Sequence, residues 1–255
     1  MNIRVLIATH KKIKLPNNSV YLPVHVGRNG ARDIGYIGDD TGDNISNKNS
    51  LYSELTGIYW AWKNLSCDFV GLVHYRRLFA KKKGLFRQKH VLTPEEVFAL
   101  CSRYDVIVPV KRRYYIETLM SHYANTHDFS HIELTREVIA SQTPDYLPFF
   151  DNCVRGRSAH MFNMFIMRQD LFHNYCNWLF PILFEIEKNI DYSHMTAFDA
   201  RLLGRISELL FDVWLTRNNL PYKEVSFVES GVRYLPKIRN FLAAKFLKKK
   251  YRQSV

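Results

Sequence analysis

Residues 68–79, DFVGLVHYRRLF, limit the fold more than any other stretch of the chain. FVGLV is apolar at every side chain it has, whereas a strand with one solvated face would alternate. Burial on both faces requires helices above and below a mostly parallel sheet. The apolar run stops abruptly at His74, Tyr75, Arg76 and Arg77. If the strand continues, alternation sends His74 and Arg76 to one face and Tyr75 and Arg77 to the other. Ligands of such sheets bind where strands end and loops begin. Two guanidinium groups at that place suit a diphosphate, because their donors match phosphate oxygens in pairs and never lose charge. Adjacent arginines repel, so something anionic must compensate them, either a ligand or carboxylates from neighbouring helices.

The remaining elements alternate in the same sense. Strands are expected at IRVLIA (3–8), VYLPVHV (20–26), DVIVPV (105–110), MFNMFIM (161–167) and YKEVSFVE (222–229). Helices are expected over 50–65, with Ser50 as cap and Leu51, Leu55, Ile58, Tyr59 and Trp62 at helical spacing, and over 93–104, where Thr93, Pro94 and Glu96 make a capping box. A second capping box, Ser130 with Glu133, opens a helix to about Ser141, and two long helices fill roughly 169–189 and 197–216. Between Gly27 and Asn49 the chain is rich in Gly, Asp and Asn, a long loop of the kind that usually serves function. This is an α/β layered pattern.

Composition matters mainly at the C-terminus. The net charge is +12, and seven basic residues with no acid lie from Lys237 onward. Ile238, Phe241, Leu242, Phe246 and Leu247 recur there at helical spacing. The expected organisation is one domain over 1–235 and a basic amphipathic helix over 236–255. That helix suits an anionic membrane surface, ahead of docking on the domain or binding nucleic acid. The first apolar run is too short for a signal sequence or a membrane span, so a cytoplasmic protein is expected, peripheral on the inner face of the membrane. Cysteines 67, 101, 153 and 176 form no C-x-x-C pair, which argues against a zinc site or a disulfide framework. No G-x-x-x-x-G-K-[ST] loop is present, which disfavours a phosphoryl transferase.

NKNSLYSELTGIYWAWKNL, DFVGLVHYRRLF, MFNMFIM and FDARLLGRISELLFDVWL, in that order, resemble the exopolysaccharide and capsule biosynthesis glycosyltransferases, a group that includes β-galactofuranosyltransferases. The resemblance runs from about residue 3 to 228. It implies a GT-A-like nucleotide-sugar-binding fold, a UDP-sugar donor, and a lipid-linked glycan acceptor in surface polysaccharide synthesis. A GT-A enzyme ordinarily places a metal-binding D-x-D after its central strand, and HYRR stands there instead. Arg76 and Arg77 would then neutralise the departing nucleotide in place of a cation. Asp39, Asp40 and Asp43 are alternative ligands for Mg²⁺ or Mn²⁺, though Asp-Gly-Asn clusters more often make turns.

The resemblance also implies roles position by position. Thr9, His10 and Lys11 leave the first strand at the nucleotide edge, with His74 and Tyr75 beside them on the donor side. Asp199 is similar to the acid that supplies the base in inverting enzymes, with Glu208 and Glu117 as rivals. His122, His127, Asn163 and Glu208 are placed towards acceptor or sugar. Of Tyr52, Tyr59, Trp60 and Trp62, at least half are expected in the core. No nucleic acid is expected as partner; a non-catalytic basic protein that binds nucleic acid or anionic lipid is the alternative.

Overall fold

A computed structural model describes residues 1–14, 19–83 and 88–230. The basic segment 236–255 lies outside the described residues. Strand β1 (Ile3–Thr9) pairs in parallel with β2 (Tyr21–His25), which pairs in parallel with β3 (Ile37–Gly38). A short helix α1 (Asn49–Tyr52) and helix α2 (Leu55–Asn64) lead to β4 (Phe69–His74), parallel to β1. β4 turns back through Tyr75 and Arg76 into β5 (Arg77–Lys83), which pairs with β6 (Gln88–Val91). Helix α3 (Pro94–Cys101), β7 (Val106–Pro109) and the short β8 (Arg112–Arg113) follow. Helices α4 (Leu119–Thr126), α5 (Ser130–Gln142) and α6 (Leu147–Arg155) come next, then β9 (Ser158–Ala159), paired with β8, and β10 (Phe165–Arg168). Helices α7 (Gln169–Lys188) and α8 (Leu202–Arg217) precede β11 (Lys223–Val225) and β12 (Phe227–Glu229).

The main sheet has the order β11-β7-β10-β4-β1-β2-β3, with β10 antiparallel to both its neighbours. Alternation along β1 divides the core. Leu6 and Ala8 join Leu72 and the faces of α2, α7 and α8, while Ile3, Val5 and Ile7 join Val73, Phe79 and Val97 on the α3 side. The central strands are therefore covered on both faces, as FVGLV requires. Gly71 lets β10 close up: a Cβ there would stand 2.8 Å from the Phe165 carbonyl oxygen.

Several boundaries differ from the sequence reading. The helix expected over 50–65 is broken at Ser53, whose φ of 52° is left-handed, and Ser50 lies inside α1 rather than capping it. The Thr93 capping box is present, but Ser130 does not cap α5; its amide donates to Asp128 Oδ1 at 3.0 Å. The apolar run MFNMFIM is strand only from Phe165, because Phe162 and Asn163 both have positive φ. Residues 222–229 form two strands instead of one, split at Ser226 so that β11 pairs with β7 and β12 with β5.

Candidate functional site

A cleft of about 500 Å³ opens at the carboxyl ends of β1 and β4. Thr9, His10, Tyr75 and Arg76 form one side, and Asn49, Ser53, Glu54 and Arg201 the other. Thr9 is buried, and its hydroxyl donates to the Lys11 carbonyl at 2.8 Å, so the chain turns sharply as it leaves β1. This turn brings Lys11 Nζ to 5.0 Å from the centre of the Tyr75 ring, and His10 meets the same ring edge-on at 5.3 Å. Arg76 is exposed with its guanidinium 5.3 Å from that ring, and Arg201 is held by a 3.0 Å bond from Nε to Ser53 Oγ. The His10 pKa lies below the ordinary histidine value, first through burial and then through the charges of Lys11, Arg76 and Arg201. Lys11 and Arg76 thus flank one aromatic ring at the strand ends, with Arg201 on the facing wall of the cleft. No carboxylate pairs with any of the three among the described residues.

Arg77 also lines the cleft but is paired within the fold. The two-residue turn reverses the alternation of a continuing strand, so Arg77 faces the same side as His74 rather than Tyr75. Its guanidinium bonds Glu229 of β12, with Nε at 2.8 Å and Nη2 at 2.6 Å, and lies 4.1 Å over the Phe162 ring. Both arginines line the cleft, but they differ in charge balance: Arg76 is exposed, whereas Arg77 is compensated by Glu229.

Behind the cations stands a carboxylate group. His74 Nε2 lies 2.6 Å from the Phe162 carbonyl and 4.0 Å from Glu54 Oε1. Asn163 Nδ2 donates to Glu54 Oε1 at 2.9 Å and to the Gly204 carbonyl at 3.0 Å, and Asn163 Oδ1 accepts from Ser207 Oγ at 2.9 Å. Asn163 is buried and its amide is occupied, so it positions Glu54 instead of meeting a sugar hydroxyl. Glu208, one turn along α8, has its carboxyl pKa pushed up to about 7, by burial first and then by the charge of Glu54, against a bond from the Phe162 amide and the charges of Arg112 and Arg77. Such a group accepts and returns a proton near neutral pH.

Glu117 and His122 lie together further along. His122 Nδ1 is 2.9 Å from Glu117 Oε2, and Asn125 donates to Glu117 Oε1 at 2.8 Å. Burial lowers the His122 pKa despite Glu117. His127 caps α4, packed between Tyr123 and Phe198. Asp199 is tied into a local turn: its carboxylate accepts from the Thr196 hydroxyl at 2.7 Å and its amide donates back to that oxygen. Neither Asp199 nor Glu208 is among the residues lining the cleft, whereas Glu54 is. Tyr52 and Trp60 are core residues, while Tyr59 and Trp62 pack on Phe180, so the aromatic ring at the cleft is Tyr75. Glu54 and Arg201 had no assigned role in the sequence reading. Glu54's only local signal was its position beside the helix break at Ser53, which no Gly or Pro announces, and Arg201 reaches Ser53 from 148 residues away.

The metal that a GT-A-like fold implies does not match the side chains here. Cationic groups occupy the end of β4. Asp39 is fully buried and accepts from the Gly27 and Arg28 amides and the Ser46 hydroxyl, Asp40 faces Arg28 at 3.5 Å, and Asp43 accepts from the Tyr59 hydroxyl. Among the described residues no group of three or more His, Cys, Asp or Glu side chains is placed to hold a metal ion.

A mostly parallel sheet flanked by helices, with its cleft at the carboxyl ends of the central strands, is a GT-A-like fold. The solved apo structure of WbbM, a bifunctional glycosyltransferase, shares it with a TM-score of 0.84 and 28% identity over 91% of this chain. The chain spans 46% of that protein. It belongs to the family described as Domain of unknown function (DUF4422), whose model matches residues 4–219. No curated protein matches it.

Proposed function

We propose that this chain is an inverting glycosyltransferase that moves a sugar, galactofuranose, from a UDP-sugar to a lipid-linked glycan in surface polysaccharide synthesis. The observation that carries this reading is Lys11 and Arg76 flanking Tyr75 at the strand ends, with Arg201 on the facing wall of the cleft, in a fold shared with a glycosyltransferase. In this reading the diphosphate lies among those three cations, with Thr9 and His10 lining its edge. The acceptor hydroxyl attacks the anomeric carbon while the bond to the diphosphate breaks on the opposite face, and the electron pair leaves on UDP. The cations stabilise that charge as it forms. Glu208 takes the hydroxyl proton; its pKa of about 7 suits a base working near neutral pH, and we assign this role to it ahead of Asp199. Glu54 tunes Glu208, and Asn163 fixes Glu54. Glu117, His122 and His127 line the approach of the acceptor.

The test is a panel of UDP-sugars offered with and without EDTA, read by UDP release and by thermal shift. UDP-galactofuranose is expected to turn over, and UDP is expected to stabilise the protein in both conditions. Absence of stabilisation by any uridine diphosphate, together with salt-steep binding of nucleic acid, would favour a non-catalytic basic binding protein.

A further inference from the structure

The described residues expose eight large hydrophobic side chains, of which three lie in one short segment and a fourth, Tyr222, beside it. Val110, Tyr115 and Ile116 lie in the segment between β7 and α4, and Tyr222 packs under its Lys111, 5.9 Å from ring centre to Nζ. Tyr115 is 75% exposed and Ile116 50%. Tyr115 also has a φ of 47°, left-handed for a bulky residue. Its carbonyl accepts from Arg157 Nη1 at 2.7 Å, which holds the turn in this shape. The fold thus maintains an unfavourable backbone conformation to present two apolar side chains to water.

The surroundings are basic. Lys111 and Arg113 flank the tip on its own segment, Arg157 reaches it through its bond to the Tyr115 carbonyl, and Arg155 stands two residues before Arg157 at the end of α6. None of the four has a carboxylate ion pair among the described residues. The nearest acid in sequence, Glu117, is buried and turned to His122 and Asn125.

We propose that segment 110–116 is a docking tip for an anionic lipid bilayer, with Tyr115 and Ile116 entering the headgroup boundary and Lys111, Arg113, Arg155 and Arg157 meeting lipid phosphates. A tyrosine at the boundary keeps its ring in the apolar layer and its hydroxyl in water. Basic groups beside a small apolar insertion are the arrangement that binds anionic membrane surfaces. A protein partner would need a far broader face, about 800 Å². A nucleic acid would leave Ile116 without a counterpart. The tip also adjoins the carboxylate groups: its own Tyr114 packs on His122 at 4.5 Å, and its Arg112 acts on Glu208. Docking would bring that side of the molecule to the lipid surface. This last step rests on the proposed function for the acceptor being lipid-linked; the docking itself does not.

The experiment uses the full chain and needs no substrate. A fluorophore sensitive to polarity is attached at Tyr115→Cys, with the identically treated unsubstituted chain as blank for Cys67 and Cys153. Mixed phosphatidylglycerol and phosphatidylcholine vesicles are expected to shift its emission to the blue, and spin-labelled lipid to quench it. In co-sedimentation at raised salt, the Tyr115→Ser/Ile116→Ser chain is expected to lose roughly tenfold in vesicle affinity. Its thermal shift with UDP should stay unchanged, which separates a failure here from a failure of the donor reading. A label that stays solvent-like while vesicles bind elsewhere on the chain overturns the proposal. So does a blue shift elicited by a soluble protein or a lipid-free glycan and not by vesicles.

Discussion

The two walls of the cleft are built in opposite ways. The cationic wall consists of side chains that reach outward: among the described residues Lys11 and Arg76 lie over the Tyr75 ring, and Arg201 bonds Ser53. The carboxylate wall is locked from behind. Glu54 is held by Asn163, Asn163 by Gly204 and Ser207, and Glu208 by the Phe162 amide, through residues whose backbone is itself left-handed at Ser53, Phe162 and Asn163. A wall that binds a charged, mobile ligand gains from reach and permanent charge. A wall that handles a proton gains from fixed geometry and a shifted pKa.

The sharpest way to break this contrast is at Glu208. Glu208→Gln is expected to lower turnover by roughly 100-fold or more while leaving the UDP thermal shift intact. If Asp199→Asn shows that loss instead and Glu208→Gln does not, the two walls are wrongly divided. The neighbouring arginines separate binding from stability. Arg76→Ala should weaken UDP by about 10- to 100-fold, in line with ~1.5–3 kcal/mol for a charged hydrogen bond, with little change in Tm. Arg77→Ala should instead cost about 2–3 kcal/mol of stability in denaturant unfolding, because two charged hydrogen bonds to Glu229 are lost, and should change UDP affinity less than Arg76→Ala does.

A pH series sharpens the carboxylate side. The folded protein keeps the Glu208 proton up to about pH 7, whereas an unfolded chain releases it near 4.5. The folded state therefore holds more protons between those values, and its stability falls as pH rises through them. Glu208→Gln escapes that loss, so it should be more stable than the parent by about 1–3 kcal/mol above pH 7 and equal to it below 4.5. The rate of the parent should rise with pH to a plateau above 7. The smallest effect belongs to His10. A diphosphate among Lys11, Arg76 and Arg201 offsets charges that hold its pKa down, so UDP should raise the His10 midpoint in an NMR titration.

This difference in construction also decided what could be seen in the sequence. FVGLV announces a doubly covered strand, and HYRR at its end marks the cationic wall, because strand register and charge are local properties. Tyr75 and Arg76 stand where that pattern puts them, at the ligand end of β4. The pairing of faces was not legible, since a turn of two residues without Gly, Asn or Asp looks like more strand. Arg77's partner lies on β12, far along the chain, and only the split of 222–229 into two strands brings Glu229 to it. The carboxylate wall was hidden for the same reason. Glu54 reads as one polar position on an amphipathic helix, and nothing near Ser53, Phe162 or Asn163 signals left-handed backbone. Asn163 was visible as a polar break in an apolar run, but its job of fastening Glu54 depends on α8 arriving behind it.

One amide side chain, that of Asn163, joins the start of α2 to the first turn of α8 from the approach to β10. Three separately encoded elements consequently share a single rivet. Variants that accept a different nucleotide can arise one surface cation at a time, whereas reshaping the pocket for a new hydroxyl demands coordinated change in all three. On the proposed transferase reading, evolutionary drift in this chain should accordingly be written first into donor preference and last into the choice of acceptor.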